Sequence, residues 1–204
     1  METRKHWEDI YETKPLTEVS WFQDHAEISL QLIERTGVPR TGQIIDVGGG
    51  ASTLVDDLLN AGYRNITVLD ISAPALHAAR QRLGPHAADV TWIAADITAV
   101  KLPADHFDMW HDRAVFHFLT GEEDRRRYVE AVQRSVKAGG HVIVATFGPD
   151  GPIQCSGLPV MRYDPDSLHD EFGERFDLIE HTTEEHHTPF GTVQQFIYCY
   201  CRKA

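Results

Sequence analysis

Between Gln43 and Phe147 the chain alternates short apolar runs of strand length with amphipathic stretches of helix length. The apolar runs are QIIDVG, NITVLD, DVTWIAAD, HFDMWHD and HVIVATF. Among them stand STLVDDLLNAG, SAPALHAARQRLG and GEEDRRRYVEAVQRSVKAGG. Strands that alternate with helices form a parallel sheet covered on both faces. Crossovers between parallel strands are right-handed, which leaves an open, doubly wound α/β sheet. Boundary residues agree with this reading. Ser52 or Thr53 caps the first helix and Gly62 ends it, Ser72 caps the second with Pro74 in its first turn, and the third is expected to leave through Gly139 and Gly140.

The flanks extend the pattern. DHAEISLQLIERT carries Ile28, Leu30, Leu32 and Ile33 at helical spacing and is stopped by Gly37 and Pro39. DPDSLHDEFGERF reads as a last helix, and FDLIEHTTEEHH and TVQQFIYCYC as two last strands. Only TPFG separates those strands, too little for a crossover, so the final strand runs antiparallel to its neighbour. With 204 residues this is one domain: a helical and aromatic cap segment over 1–36, a core over 40–147, and a loop, helix and hairpin over 148–204.

Charge narrows the partners. The formal net charge is -12, and the longest basic run, Arg125-Arg126-Arg127, is flanked by Glu122, Glu123, Asp124 and Glu130. A nucleic-acid binder is not expected from that balance. No apolar run approaches the roughly 20 residues needed to span a bilayer, and METRKHWEDIYETK lacks the apolar core of a signal peptide. Three cysteines do not suggest a disulfide framework. The expectation is a cytoplasmic protein without a membrane or nucleic-acid partner; monomer and homodimer both stay open.

In a doubly wound sheet the ligand sits outside the carboxyl ends of the strands. Gly48, Gly49 and Gly50 follow the first strand there. Glycine allows close approach of backbone to a ligand, and the helix start after it offers free N–H groups. Asp70 ends the second strand, where a carboxylate can accept two ribose hydroxyls. Asp96 ends the third, where a carboxylate can meet an exocyclic amine of a base. A nicotinamide dehydrogenase needs a third small residue five positions after Gly48, but Thr53 stands there. A non-catalytic cofactor-binding protein is the alternative from another class.

The segments DVGGGAS, VLDIS, AADIT, FDMWHDRAVFHF and KAGGHVIVATF, in this order and spacing, resemble the class I S-adenosylmethionine-dependent methyltransferases over about residues 40–147. The resemblance implies a Rossmann-like seven-stranded sheet of order 3-2-1-4-5-7-6 with strand 7 antiparallel, and S-adenosylmethionine as cofactor, released as S-adenosylhomocysteine. It implies that Gly48 and Gly50 pass the methionine moiety, with Asp46 and Ser52 beside them. Asp70 and Ile71 would hold the ribose, and Asp96 and Ile97 the adenine. It places the His111, Asp112 and Arg113 segment under the methionine portion and the transferred methyl, with Asp112, Arg113 and His117 in the cofactor shell, and favours Tyr11 and Trp21, with Trp7, as an aromatic cover suited to a sulfonium. Gly49 departs from the pattern, since that position is usually not glycine.

Methyl transfer is an in-line displacement, so alignment of the nucleophile matters most. Asp112 at the end of strand four is a candidate for a cationic amine and His111 for a base. The Gly/Pro-rich segment 148–163 is long enough for a substrate loop, with Cys155, Arg162 and Tyr163 as its reactive or polar members. His186, His187 and Phe190 belong to the hairpin turn at the same edge. Cys199 and Cys201 lie roughly 20 Å along the last strand from that edge, so no metal site with Cys155 is expected. A small-molecule acceptor, such as a thiol or related chalcogen compound, is the first expectation; a protein lysine is the second. On this reading Asp70→Ala weakens S-adenosylmethionine binding, measured by calorimetry, by about 1–3 kcal/mol through a lost charge-assisted hydrogen bond. An unchanged affinity removes Asp70 from the site.

Overall fold

The computed structural model describes residues 2–13 and 15–204. The helices are α1 (Glu2–Thr13), α2 (Glu27–Arg35), α3 (Leu54–Asn60), α4 (Ala73–Leu83), α5 (Glu122–Ser135) and α6 (Pro165–Phe172). The large sheet is built from β1 (Gln43–Val47), β2 (Asn65–Asp70), β3 (Val90–Ala94), β4 (Phe107–Arg113), β5 (Val136–Phe147), β6 (Phe176–His187) and β7 (Val193–Lys203). Their order is β3-β2-β1-β4-β5-β7-β6, with β7 antiparallel to both neighbours. The expected seven-stranded topology is therefore the one found. Gln154–Cys155 and Leu158–Pro159 form a separate small hairpin.

Successive side chains of a strand face opposite layers, and the register makes each layer continuous. Ile45, Trp110, Val142 and Cys201 are partners in a row across four strands and pack with α5 and α6. Their neighbours Ile44, Met109 and Ile143 face the other way and pack with α2 and α3. This alternation puts Cys199 and Cys201 in the α5/α6 layer, while Cys155 on the small hairpin packs into the α2/α3 layer on the opposite face of the sheet.

Local signals act mostly as expected. The Ser72 side chain accepts the Ala75 N–H at the start of α4, with Pro74 in its first turn. Asp164 and Ser167 form a reciprocal capping box on α6. Gly139 and Gly140 do not end a helix: α5 stops at Ser135, and the pair lies within β5. Gly139 has φ +71°, and the β4–β5 register shifts near this point. The glycines thus serve an irregular strand entry rather than a helix exit. Among the described residues no helix is long and apolar enough to cross a membrane.

The centre of the sheet is tied by a fully buried polar group. Asp112 at the end of β4 accepts the Val115 N–H at 2.8 Å, the Phe116 N–H at 3.1 Å and the Tyr128 hydroxyl of α5 at 2.6 Å. Trp110 donates to the same tyrosine oxygen at 3.0 Å. Tyr128→Phe removes a donor from a buried carboxylate. It is expected to cost about 1–3 kcal/mol, read as a lower urea midpoint with unchanged slope.

Candidate functional site

The carboxyl ends of β3, β2, β1, β4 and β5 open onto one elongated cavity of about 250 Å³. At one end stand Asp70, Ile71, Ala95, Asp96, Ile97 and Thr98. Gly48, Val115 and Arg113 form the middle, and Phe147, Cys155 and Phe196 the other end. Trp7, Tyr11 and Trp21 from the N-terminal segment cover it, joined by Phe118. The ring of Trp7 meets Trp21 at 5.7 Å and Phe118 at 5.0 Å, and Tyr11 meets Trp21 at 6.3 Å, all edge-on. Arg4 anchors the cover by donating to the Ile71 carbonyl. A smaller chamber of about 50 Å³ adjoins it behind Gly48, lined among others by Asp46, Gly49, Ser52, Ser29 and His111.

The glycines are needed for space. A Cβ on Gly48 would stand 1.9 Å from Val115 Cγ2, and φ there is +71°. One on Gly50 would stand 2.8 Å from Asp70 Oδ2 and 3.2 Å from the Tyr11 hydroxyl. Gly49 is equally constrained: its Cβ would meet Asp46 Oδ2 at 2.4 Å and Val68 Cγ1 at 2.7 Å. Its departure from the usual pattern tightens the turn. Such a bare backbone cradle between a carboxylate and a phenol fits a ribose-bearing ligand.

Asp70 is buried and accepts the Ser72 N–H at 2.7 Å. Burial, together with the nearby charge of Asp46, pushes its carboxyl up to about 7. Asp96 lies two residues beyond β3 rather than on it, and its Oδ1 accepts from the Thr98 N–H and hydroxyl. Ile97 beside it is buried.

Arg113 reaches both chambers. It donates to Tyr198 Oη at 3.0 Å, to Glu184 at 3.3 Å and to the Trp21 carbonyl at 3.4 Å, and lies 4.1 Å over the Phe196 ring. Glu184 also accepts from Tyr198 at 2.8 Å and from Gln23 at 2.6 Å. The guanidinium is therefore neutralised within a buried network.

Several expected site residues lie elsewhere. Asp112 faces the opposite layer, covered by two N–H groups and Tyr128, with no free path to an amine. His111 is bonded at both ring nitrogens, to Asp46 at 2.7 Å and Ser29 at 2.9 Å, so neither is available to a substrate proton. His117 is buried against Phe118 and Phe147 and outside the cavity lining. Its Nδ1 accepts the Phe147 N–H, and burial lowers its basicity to about 3. Ser52 accepts the Leu54 N–H at the start of α3 and touches only the smaller chamber.

The 148–163 segment contributes Cys155 alone to the large cavity. Arg162 is exposed and closes its own loop by donating to the Pro149 and Gly151 carbonyls. Tyr163 is buried in the α5/α6 layer beside Phe116. His186 is buried and donates to the Ser20 carbonyl, while His187 and Phe190 point to solvent. β-strand alternation separates the two histidines, since neighbouring side chains face opposite sides. Burial holds the Cys155 thiol above its ordinary range. Among the described residues, no three His, Cys, Asp or Glu side chains gather as a metal site.

The lining also includes residues that pattern reasoning passed over: Val115, Phe118, Leu119, Phe147 and Phe196. Ala114, at φ +75°, makes the turn that aims Val115 at Gly48. A left-handed alanine leaves no mark in a sequence, and an apolar wall is indistinguishable there from a core.

A family model described as a methyltransferase domain matches residues 44–140. The malonyl-(acyl-carrier protein) O-methyltransferase of Paenibacillus sp. (strain JDR-2) is 30% identical over 131 residues, 61% of this chain and 46% of that protein. The chain thus spans about half the length of that relative. Homo sapiens EEF1A lysine methyltransferase 2 is 20% identical over 192 residues, 87% of this chain and 75% of that protein. A solved structure concerning the conversion of a disulfide bond into a thioacetal group during echinomycin biosynthesis superposes with TM-score 0.78 at 17% identity. It covers 98% of this chain and 92% of its own.

The raised Asp70 carboxyl has a stability consequence. Its ordinary value is 3.8 and its folded value about 7, so between these the folded state holds a proton that the unfolded state has lost. Stability of the ligand-free protein is expected to fall as pH rises through that window and to level off above it. Asp70→Asn should flatten this slope by up to about 1.4 kcal/mol per pH unit. Urea unfolding at pH 5, 6, 7 and 8 checks it; parallel slopes for both proteins refute the assignment.

Proposed function

We propose that this chain, which belongs to the class I S-adenosylmethionine-dependent methyltransferase family, transfers the cofactor methyl to a small acceptor that arrives already nucleophilic, a thiol or related chalcogen compound. The cavity suits the cofactor: the glycine cradle leaves bare backbone beside Asp70, and Ile97 with Asp96 lies one strand end further on. Bound there, S-adenosylmethionine supplies an electrophilic methyl on a neutral leaving group. Asp70 accepts the ribose hydroxyls, Asp96 and the Ile97 backbone meet the adenine, and Gly48 and Gly50 pass the methionine moiety. Tyr11 and Trp21 line the cavity as an aromatic wall that suits positive charge. Trp7 and Phe118 shut out water above them.

One observation carries the acceptor class: at the end formed by Phe147, Cys155 and Phe196, the described residues offer no free general base. His111 is saturated, His117 has an unpartnered Nε2 but is made weakly basic by burial, His186 donates to the Ser20 carbonyl and is made less basic by burial, Asp112 is covered, and Glu184 is already bonded to Arg113, Tyr198 and Gln23. An amine that arrives as an ammonium must lose a proton before it attacks. A thiol ionises near neutral pH and needs no such help. The aromatic and sulfur surface of this end is also a favourable setting for a polarisable atom. The solved structure concerned with a disulfide-to-thioacetal conversion shares this fold and supports a sulfur acceptor.

The protein-lysine reading draws on the human relative named above, which is aligned over most of this chain. Radiolabelled S-adenosylmethionine incubated with panels of small thiols, selenols and amines, and with soluble extract protein, separates the readings. Label is expected in the thiol or selenol products, at a rate that rises with pH through the acceptor's own pKa. Label confined to a protein band refutes the small-acceptor reading. Labelling nowhere, with cofactor bound, turns the chain into a binding protein.

A further inference from the structure

We infer that Arg82, outside both chambers, is the positioning residue of the glycine loop; this rests on the reading that the loop holds S-adenosylmethionine. The loop from Gly48 to Ala51 contains three glycines and an alanine, so no side chain of its own can lock it. Glycine has the most backbone freedom to lose on ordering. The restraint must come from outside: the Leu69 carbonyl holds the Gly48 N–H at 2.7 Å, and Arg82 in the last turn of α4 holds the other end of the loop. Its Nη1 donates to the Ala51 carbonyl at 2.8 Å and its Nη2 to the Ser52 carbonyl at 2.6 Å. The same side chain forks onto Asp56 of α3, with Nη2 at 2.7 Å and Nε at 3.2 Å.

A trans peptide is planar, so fixing a carbonyl fixes the N–H on its far side. Holding the Ala51 carbonyl orients the Ser52 N–H, which donates to the Gly49 carbonyl at 2.7 Å and closes the turn around Gly50. Holding the Ser52 carbonyl orients the Thr53 N–H at the entry to α3. Arg82 therefore sets the plane of two successive peptides just where Gly50 must pass Asp70 at φ +42°. It is also rigidly linked to that carboxylate, because α4 begins three residues after Asp70. One helix thus sets the distance between the ribose carboxylate and the glycine cradle. A lysine could satisfy one of these acceptors but not the planar fork.

The test uses the full chain with Arg82→Ala and Arg82→Lys. Calorimetric titration with S-adenosylhomocysteine at a temperature well below the melting transition is expected to show about tenfold weaker binding for Arg82→Ala. Arg82→Lys should fall between it and the unaltered protein. Amide exchange of residues 49–54 in the ligand-free state should quicken in Arg82→Ala while that of β1 and β2 stays unchanged. A purely structural ion pair would lower the melting temperature and leave both readouts alone, which overturns the inference. If Arg82→Ala does not fold, unchanged affinity and exchange in Arg82→Lys overturn it equally. Failure of the unaltered protein to bind S-adenosylhomocysteine refutes the cofactor reading instead, and the exchange measurement still decides whether Arg82 orders the loop.

Discussion

At the carboxyl end of β4, the Asp112 carboxylate turns the chain back on itself by taking two N–H groups three and four residues on. The middle of the cavity follows from that turn. It sends Ala114 into the left-handed region and seats Val115 against Gly48, closer than any side chain on that glycine would allow. It delivers Phe118 to the aromatic cover and drives Phe116 and the Tyr128 partnership into the α5/α6 layer. Burial pushes the Asp112 carboxyl up to about 7, so its three donors offset a substantial desolvation cost. A group that looks catalytic by residue type and position is thus committed to shape.

The same division of labour recurs in the polar groups around the cavity. His111 binds Asp46 and Ser29 under the glycine loop, and His186 binds the Ser20 carbonyl under the cover. Arg113, Glu184, Tyr198 and Gln23 neutralise one another while joining β4, β6, β7 and the N-terminal segment. Unpaired polar groups are costly when buried, so each is spent on holding an element in place. What lines the large cavity for a ligand is backbone, aromatic surface, the Asp70, Asp96 and Asp124 carboxylates, two threonines and one thiol. Such a site aligns reactants and excludes water more than it moves protons.

Much of the architecture was legible because it depends on period and punctuation. Strand and helix periods alternate from Gln43 to Phe147, and the short TPFG turn alone requires an antiparallel last strand. That Gly48, Gly50, Asp70 and Ile97 meet at one edge was legible for a related reason: they follow strand ends, and topology gathers strand ends at one edge. The far end of the cavity was less so. Asp112, His111, Tyr163 and His186 all lie near that edge in sequence, but which face each side chain takes depends on single-residue steps and on partners far along the chain.

The sequence by itself determined the doubly wound sheet, its reversed final strand and the line of glycine and aspartate along its carboxyl edge. These follow from local propensity and from the handedness of crossovers, which need no distant contact. Only the tertiary structure decided which polar residues are structural and which remain available. That decision is made by burial and hydrogen-bond partners up to 166 residues away, as Ser20 and His186 are. A carboxylate satisfied by Tyr128 and one left facing a cavity are the same residue in a sequence, and only packing separates them.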